Sequence, residues 1–274
     1  MYRFLLRPKW LAFHVLIIFL VVVMVNLGFW QLHRLQGRRA FNDEVRSRTA
    51  QATEPYGQVV TDGVDPDSVA WRTVIVSGTY LGDEQVVVLN RSQAGSAGVD
   101  VVTPLELPSG SLVLINRGFV AETQPVPAAP TGPVTILGRL QVSEARHLGG
   151  LTDPGGDLTE IQRLDIDRLG AQLPAPVSPV FVNLLQSKPT QGSSPVPVAD
   201  PELDEGPHMS YMIQWWIFSI TAIVGWVLAV RRSARQRLSA ATPEQTREQT
   251  REQTEPDAAD FPSPAVDASA TTRS

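Results

Sequence analysis

Hydrophobic residues gather into two long runs, one from about Trp10 to Trp30 and one from about Tyr211 to Val230. At roughly 1.5 Å of rise per residue, a run of about 20 residues crosses a hydrocarbon core of roughly 30 Å. The pattern predicts transmembrane helices over 10–30 and 208–230. Between them the periodicity shortens to that of strands, with Val, Ile, Thr and Tyr runs bounded by Gly, Asn, Ser and Pro. Strands are expected at about 72–81, 85–90, 99–107, 112–120, 134–142 and 180–185. In the first, Thr73, Ile75 and Ser77 alternate with Val74, Val76 and Gly78, as in a half-buried strand. Over 157–173, Leu158, Ile161, Leu164 and Leu169 recur at roughly helical spacing, and Asp157 is placed to cap a helix. The expected fold is an integral membrane protein in which two terminal helices flank a β-rich α+β extracytoplasmic domain, a barrel or small sandwich.

The remaining segments follow from punctuation. Residues 31–71 should prolong the first helix to about Thr49 and then break into a loop at Pro55, Gly57, Gly63 and Pro66. Residues 72–187 form the domain, and 188–207, rich in Pro, Gly, Ser and acids, tether it to the second helix. Beyond the second helix, 231–274 is polar and includes the tandem Thr246-Arg247-Glu248-Gln249 and Thr250-Arg251-Glu252-Gln253. That tail offers too little apolar surface to offset the entropy of ordering, and disorder is expected there.

Orientation comes from Lys and Arg near the helix ends. The second helix follows Glu202, Asp204 and Glu205 and precedes Arg231, Arg232, Arg235 and Arg237, which places its C-terminal end in the cytoplasm. Two spans then put residues 1–9 in the cytoplasm, in agreement with Arg3, Arg7 and Lys9. Arg34, Arg38, Arg39, Arg46 and Arg48 on the far side of the first helix oppose this reading. The one-sided asymmetry of the second helix decides between them. A cleaved signal peptide would have a shorter apolar core and a small-residue cleavage site, whereas this run ends in Phe29 and Trp30. With no Arg- and Ser-rich leader ahead of the run, a bacterial inner membrane is the simplest location.

Composition then removes whole classes of chemistry. The chain has no cysteine, which excludes thiolate metal sites, C-x-x-C-H haem attachment, redox dithiols and cysteine nucleophiles. His14, His33, His147 and His208 are far apart, without metalloprotease-type spacing. A net charge of −5 argues against nucleic acid as a partner. Gly95-Ser96-Ala97-Gly98 falls one residue short of a G-x-S-x-G elbow and reads as a loop between strands. No nucleophile and base present themselves, and an enzyme is not expected.

Two stretches could carry function. At the exit of the first helix, Gly28 would allow close helix contact, while Trp30 and Arg34 suit the headgroup layer. At the start of the second, His208, Tyr211, Met212 and Trp215 fall at i, i+3, i+4 and i+7 and share a face. An imidazole beside a phenol and an indole could ligate haem iron between aromatic walls, or the group could be an aromatic belt with a histidine among the headgroups. Gln214 is costly just inside a membrane unless paired, so it should face protein, ligand or water. His14, inside the first span, reads as a satisfied or snorkelling residue, and His147 as a loop residue.

These pieces, in order, resemble the Surfeit-locus-1 family, the assembly factors of haem-A-containing cytochrome c oxidase. The resemblance covers most of residues 10 to 230. It rests on Gly28…Trp30-Gln31-Leu32…Arg34-Leu35, Gly78-Thr79-Tyr80, Asn90-Arg91, Gly98 with Val102-Thr103-Pro104-Leu105, Asn116-Arg117-Gly118-Phe119-Val120, and His208…Tyr211…Gln214-Trp215. The chain departs from the family pattern at Met212, usually a small residue, and at Trp216, usually Phe. The glycine-rich stretch from His147 to Gly156 also lacks an aromatic cluster found in many members. The resemblance implies that the protein binds or delivers haem A while the oxidase catalytic subunit matures. His208 would ligate the haem iron, Tyr211, Gln214 and Trp215 would border it, and Gly28 and Trp30 would pack against the site. The catalytic subunit and haem A synthase would be partners within the lipid membrane. Arg91 and Arg117, expected on adjacent strands, would meet haem propionates or a partner carboxylate, or else form strand-end salt bridges. The alternative role is a lasting accessory or scaffold subunit that does not handle haem.

Overall fold

The computed structural model describes residues 6–144, 150–153 and 155–252, with 238–252 as backbone alone. His147 lies outside the described residues. The chain divides into a helical unit, Met1–Leu35 with Pro207–Ser274, and a domain, Gln36–Gly206.

Two long helices bound the chain, α1 (Pro8–Thr49) and α5 (His208–Glu252), and both are long and apolar enough to cross a membrane. Within the helical unit their apolar side chains point outward, among them Val15, Ile18, Phe19 and Val22 on α1 and Ile217, Ile220 and Leu228 on α5. A helix buried in a globular core would do the reverse. The helix of α5 continues to Glu252, past Leu238, where the sequence pattern suggested disorder. The residues there, rich in Ala, Glu, Gln and Arg, are strong helix formers, so a scarcity of apolar surface does not stop the local helix.

Among its described residues the domain has eight strands: β1 (Glu54–Pro55), β2 (Thr73–Tyr80), β3 (Val86–Gln93), β4 (Ser96–Glu106), β5 (Leu112–Ala121), β6 (Pro133–Val142), β7 (Glu160–Ile161) and β8 (Val180–Lys188). Short helices α2 (Tyr56–Val59), α3 (Pro66–Val69) and α4 (Ile166–Gly170) fill the connections. The sheet order is β1-β2-β6-β8-β5-β4-β3-β7, with an additional β2–β4 pairing. That pairing joins Thr79 to Glu106 and Tyr80 to Leu105. It depends on Gly78, where a Cβ would stand 2.2 Å from the carbonyl oxygen of Glu106.

Both faces of the central strands are covered. In β5, Val113 and Ile115 join one core cluster with Val74, Val76, Ile136, Val180 and Val182, while Leu114 joins another with Val86, Val88, Val102 and Phe181. A strand buried on both sides reads as a continuous apolar run, which is why Leu112–Ala121 shows little alternation. The edge-ward strand β2 alternates as expected, with Val74 and Val76 inside and Ile75 outside.

Four expectations are corrected. The second core is closed by Leu158, Ile161, Leu164 and Leu169, all buried, but on a turn, a two-residue strand and the five-residue α4 rather than on one long helix. A chain laid across a sheet can bury the same spacing as a helix face. The cap is Asp165, which accepts from the Arg168 backbone nitrogen, and not Asp157. Ser96, Ala97 and Gly98 lie in β4, so the turn is confined to Ala94 and Gly95. Lastly, the stretch expected as a tether lies along the domain. Val196 and Phe119 exchange two backbone hydrogen bonds, of 2.7 and 2.9 Å. The side chain of Gln93 binds the Pro197 carbonyl and the Ala199 nitrogen.

The arginines near the end of α1 also find partners within the domain. Arg38 pairs with Asp204 at 2.7 Å, Arg39 with Glu205 at 2.8 Å and Arg48 with Glu44 at 2.9 Å. Arg46 donates to the Leu203 carbonyl and Asn42 to that of Asp204. The hydrogen bond from Arg39 holds the Glu205 carboxyl below its ordinary value.

Candidate functional site

His208 opens α5, and its Nδ1 lies 2.8 Å from Oε1 of Gln31 on α1. An amide oxygen only accepts, so Nδ1 carries the proton and donates. In its neutral form this tautomer keeps the imidazole lone pair on Nε2. Gln31 is only 9% exposed, so removing its partner would leave a buried amide oxygen unpaired.

The same pairing recurs along the two helices. Trp226 lies eighteen residues after His208 (226 − 208), close to five turns, and therefore on the same face. Its Nε1 donates 2.8 Å to Nδ1 of His14, which satisfies that histidine within α1. Between these two levels Gly28 faces Trp216. A Cβ on residue 28 would stand 2.4 Å from Nε1 and 2.6 Å from Cδ1 of that indole. Phe29 meets the same ring edge-to-face at 5.9 Å. The two helices thus run antiparallel, joined by two polar contacts and one fit of a large ring against a bare backbone.

The residues singled out in the sequence separate accordingly. His208 and Gly28 lie on the contact face. Tyr211 is 47% exposed and Trp30 is 51% exposed. The Trp30 ring carries the Arg34 guanidinium at 5.7 Å, a cation–π contact. Trp215 is half-buried, with Phe218 edge-to-face at 6.1 Å. Gln214 is exposed, turned roughly 240° around the helix from His208 and so away from α1. Tyr211 and Trp215 share the helix face of His208, one and two turns further on, whereas Gln214 does not.

Gln31 and Trp216 are the contacts that sequence reasoning missed. Gln31 falls three residues after Gly28 and so on the same helix face, which was a usable signal. Its pairing with a residue 177 positions away was not. Among the described residues no three His, Asp or Glu gather to hold a metal ion. The donor offered here is a single imidazole nitrogen.

Arg91 and Arg117 are not on adjacent strands, because β4 lies between β3 and β5. Arg91 donates to both carboxylate oxygens of Glu144 at 2.7 Å and lies 3.4 Å from Asp100, in line with the salt-bridge reading. Arg117 matches neither expectation. It is the extra residue of a bulge in β5, since Gly118 and Asn116 pair with the neighbours Val101 and Val102. The bulge turns its side chain inward, where it is 1% exposed. There it donates to Gln85 Oε1 at 2.7 Å, to the Ala128 carbonyl at 3.0 Å and to the Pro127 carbonyl at 3.2 Å, beside the Tyr80 ring at 5.7 Å. Burial lowers the Arg117 pKa and pushes that of Tyr80 up to about 12. Arg117 is a clamp for the 127–128 loop.

Comparison with known proteins bears on the whole frame. Residues 18–220 match the SURF1 family. The chain is 29% identical over 250 residues to a SURF1-like protein of Mycobacterium tuberculosis, covering 88% of this chain and 91% of the relative. It is 25% identical over 242 residues to a SURF1-like protein of Monosiga brevicollis, covering 82% and 90%. A SURF1-like protein of Rickettsia felis aligns over 99 residues at 27% identity, or 35% of this chain and 41% of that protein. The family match takes in Gly28, Gln31, His208 and Trp216 and stops short of Trp226.

Proposed function

This chain belongs to the SURF1 family, whose members are generally cytochrome oxidase assembly factors, and from that premise we propose that it binds or delivers haem A during maturation of the oxidase catalytic subunit. The observation that carries the reading is the hydrogen bond from His208 to Gln31. Histidines that ligate metals characteristically tie one ring nitrogen to a neighbouring acceptor, which fixes the ring and its tautomer. Here that leaves the Nε2 lone pair free to ligate, with Tyr211 one turn and Trp215 two turns further along the same helix face. If haem A binds here, His208 would hold its iron through Nε2. Gly28 and Trp216 hold the two helices close enough for the Gln31 contact to persist.

In this reading α1 and α5 span a bacterial inner membrane, with both termini cytoplasmic and the domain outside. The outward apolar side chains of both helices favour insertion. Of the arginines that opposed this orientation, Arg38, Arg39, Arg46 and Arg48 are occupied by carboxylates and carbonyls, which weakens their claim on the cytoplasmic side. The sheet, returning on itself at the β2–β4 pairing, serves as a small barrel that docks the catalytic subunit or haem A synthase.

Cells lacking this chain test the proposal. Their membranes should retain free haem A but show less of it bound per oxidase, restored by the wild-type chain and not by His208→Ala. Oxidase with an unchanged haem content, together with copurification at fixed stoichiometry, would instead identify a lasting scaffold subunit.

A further inference from the structure

A second polar site lies wholly inside the domain. On β6, Arg139 and Gln141 are two residues apart and share a face of the sheet. Asn183 of β8 pairs directly with Arg139, and Asn116 of β5 pairs with Asn183. Asn116 then donates to Asp100 of β4 at 3.3 Å, and Asp100 lies beside Arg91 of β3. Five neighbouring strands therefore contribute one continuous polar row, and it lines a cavity of about 490 Å³. That volume lies in the range of small-molecule sites.

Three features distinguish this cavity from a filled salt-bridge network. Arg139 Nε, Gln141 Nε2 and Asn183 Oδ1 are buried without a hydrogen-bond partner, a costly arrangement unless something else satisfies them. The row is also assembled at three bulges, ahead of Arg91 in β3, after Asn116 in β5 and at Leu185 in β8. Bulges of this kind commonly re-aim side chains beside binding sites. Above the cavity passes the segment Val198–Pro201, whose Asp200 pairs with Arg139. The Arg139 side chain is only 13% exposed, whereas that of Asp200 is 62% exposed. The carboxylate can therefore leave without disturbing the core, and the guanidinium cannot.

We propose that this cavity binds a small carboxylate carrying an amide or hydroxyl group beside the acid, with Asp200 as its internal stand-in. The ligand carboxylate takes the place of Asp200 on Arg139, so the charge of the cavity is unchanged by the exchange. Gln141 Nε2 supplies a donor and Asn183 Oδ1 an acceptor to the neighbouring group. Trp71, held at φ 68 where its backbone N donates to the Leu140 carbonyl, forms one apolar wall. Binding here does not depend on haem.

The probe is N-acetyl-L-aspartate α-amide, with the asparagine compound as its neutral isostere, titrated calorimetrically into the full chain in detergent. Removing the internal competitor in Asp200→Ala should tighten probe binding at least about tenfold over wild type. The asparagine compound should not bind, and adding Arg139→Gln to Asp200→Ala should abolish binding. Absence of binding to Asp200→Ala, or equal binding of the asparagine compound, would overturn the proposal. Should Arg139→Gln prove misfolded by thermal melt, the comparison of the two compounds on Asp200→Ala carries the decision alone.

Discussion

Gln31 and His208 form a pair in which each satisfies the other, but only His208 has a second nitrogen to offer. Replacing Gln31 by Leu should therefore leave the ligand in place while freeing its ring to turn. Outer partners of metal-bound histidines typically affect affinity by about 10- to 100-fold. Haem A affinity of Gln31→Leu should fall within that range, read by optical titration of the purified protein; unchanged affinity would mean the pair serves helix packing alone. In the domain, Asp100 is the residue with the clearest pH signature. Burial raises its pKa, against the opposing pull of Arg91 and of the hydrogen bond from Asn116. The folded state thus holds the proton at pH values where the unfolded chain has lost it. Stability from this residue is present at low pH and declines as pH rises above 3.8 and through the raised folded value. Thermal melts across pH 3 to 7, relative to pH 3, should show a smaller decline for Asp100→Asn than for wild type.

At the scale of elements, the close approach of α1 and α5 rests on Gly28. Even one methyl group there would overlap the Trp216 indole, and overpacking of this kind costs about 1–3 kcal/mol. Gly28→Ala should lower the melting temperature of the helical unit, and a second change, Trp216→Ala, should recover part of the loss. Additive losses would show that the two residues are not in contact. This fit also explains what was legible in advance. A small residue at the end of the first span pointed to close packing, but its partner, about 190 residues away, was not readable. Strands were legible wherever one face is solvated, as in β2, because alternation follows directly from burial. The segment holding Leu158, Ile161, Leu164 and Leu169 was misread because burial was inferred correctly and secondary structure was inferred from it. Arg117 was misplaced because a bulge breaks the two-residue period that assigns side chains to faces. The polar row around Asn183 went unseen for a related reason. Its members come from five strands whose order is not written in the chain.

Across the whole molecule, the two halves divide the work by chemistry. The helical unit presents one imidazole with its tautomer set by a buried amide, and the domain presents the polar cavity around Arg139. Members of the SURF1 family, to which the chain belongs, are generally cytochrome oxidase assembly factors. The carriage of haem A is the claim that the structure motivates through His208. It is tested most directly by the absorption spectrum of the protein purified in mild detergent from cells that make haem A. The account predicts a stoichiometric haem A signal that is lost or strongly weakened in His208→Ala, while Tyr211→Phe retains it. A colourless wild-type protein, or a signal unchanged in His208→Ala, would contradict it.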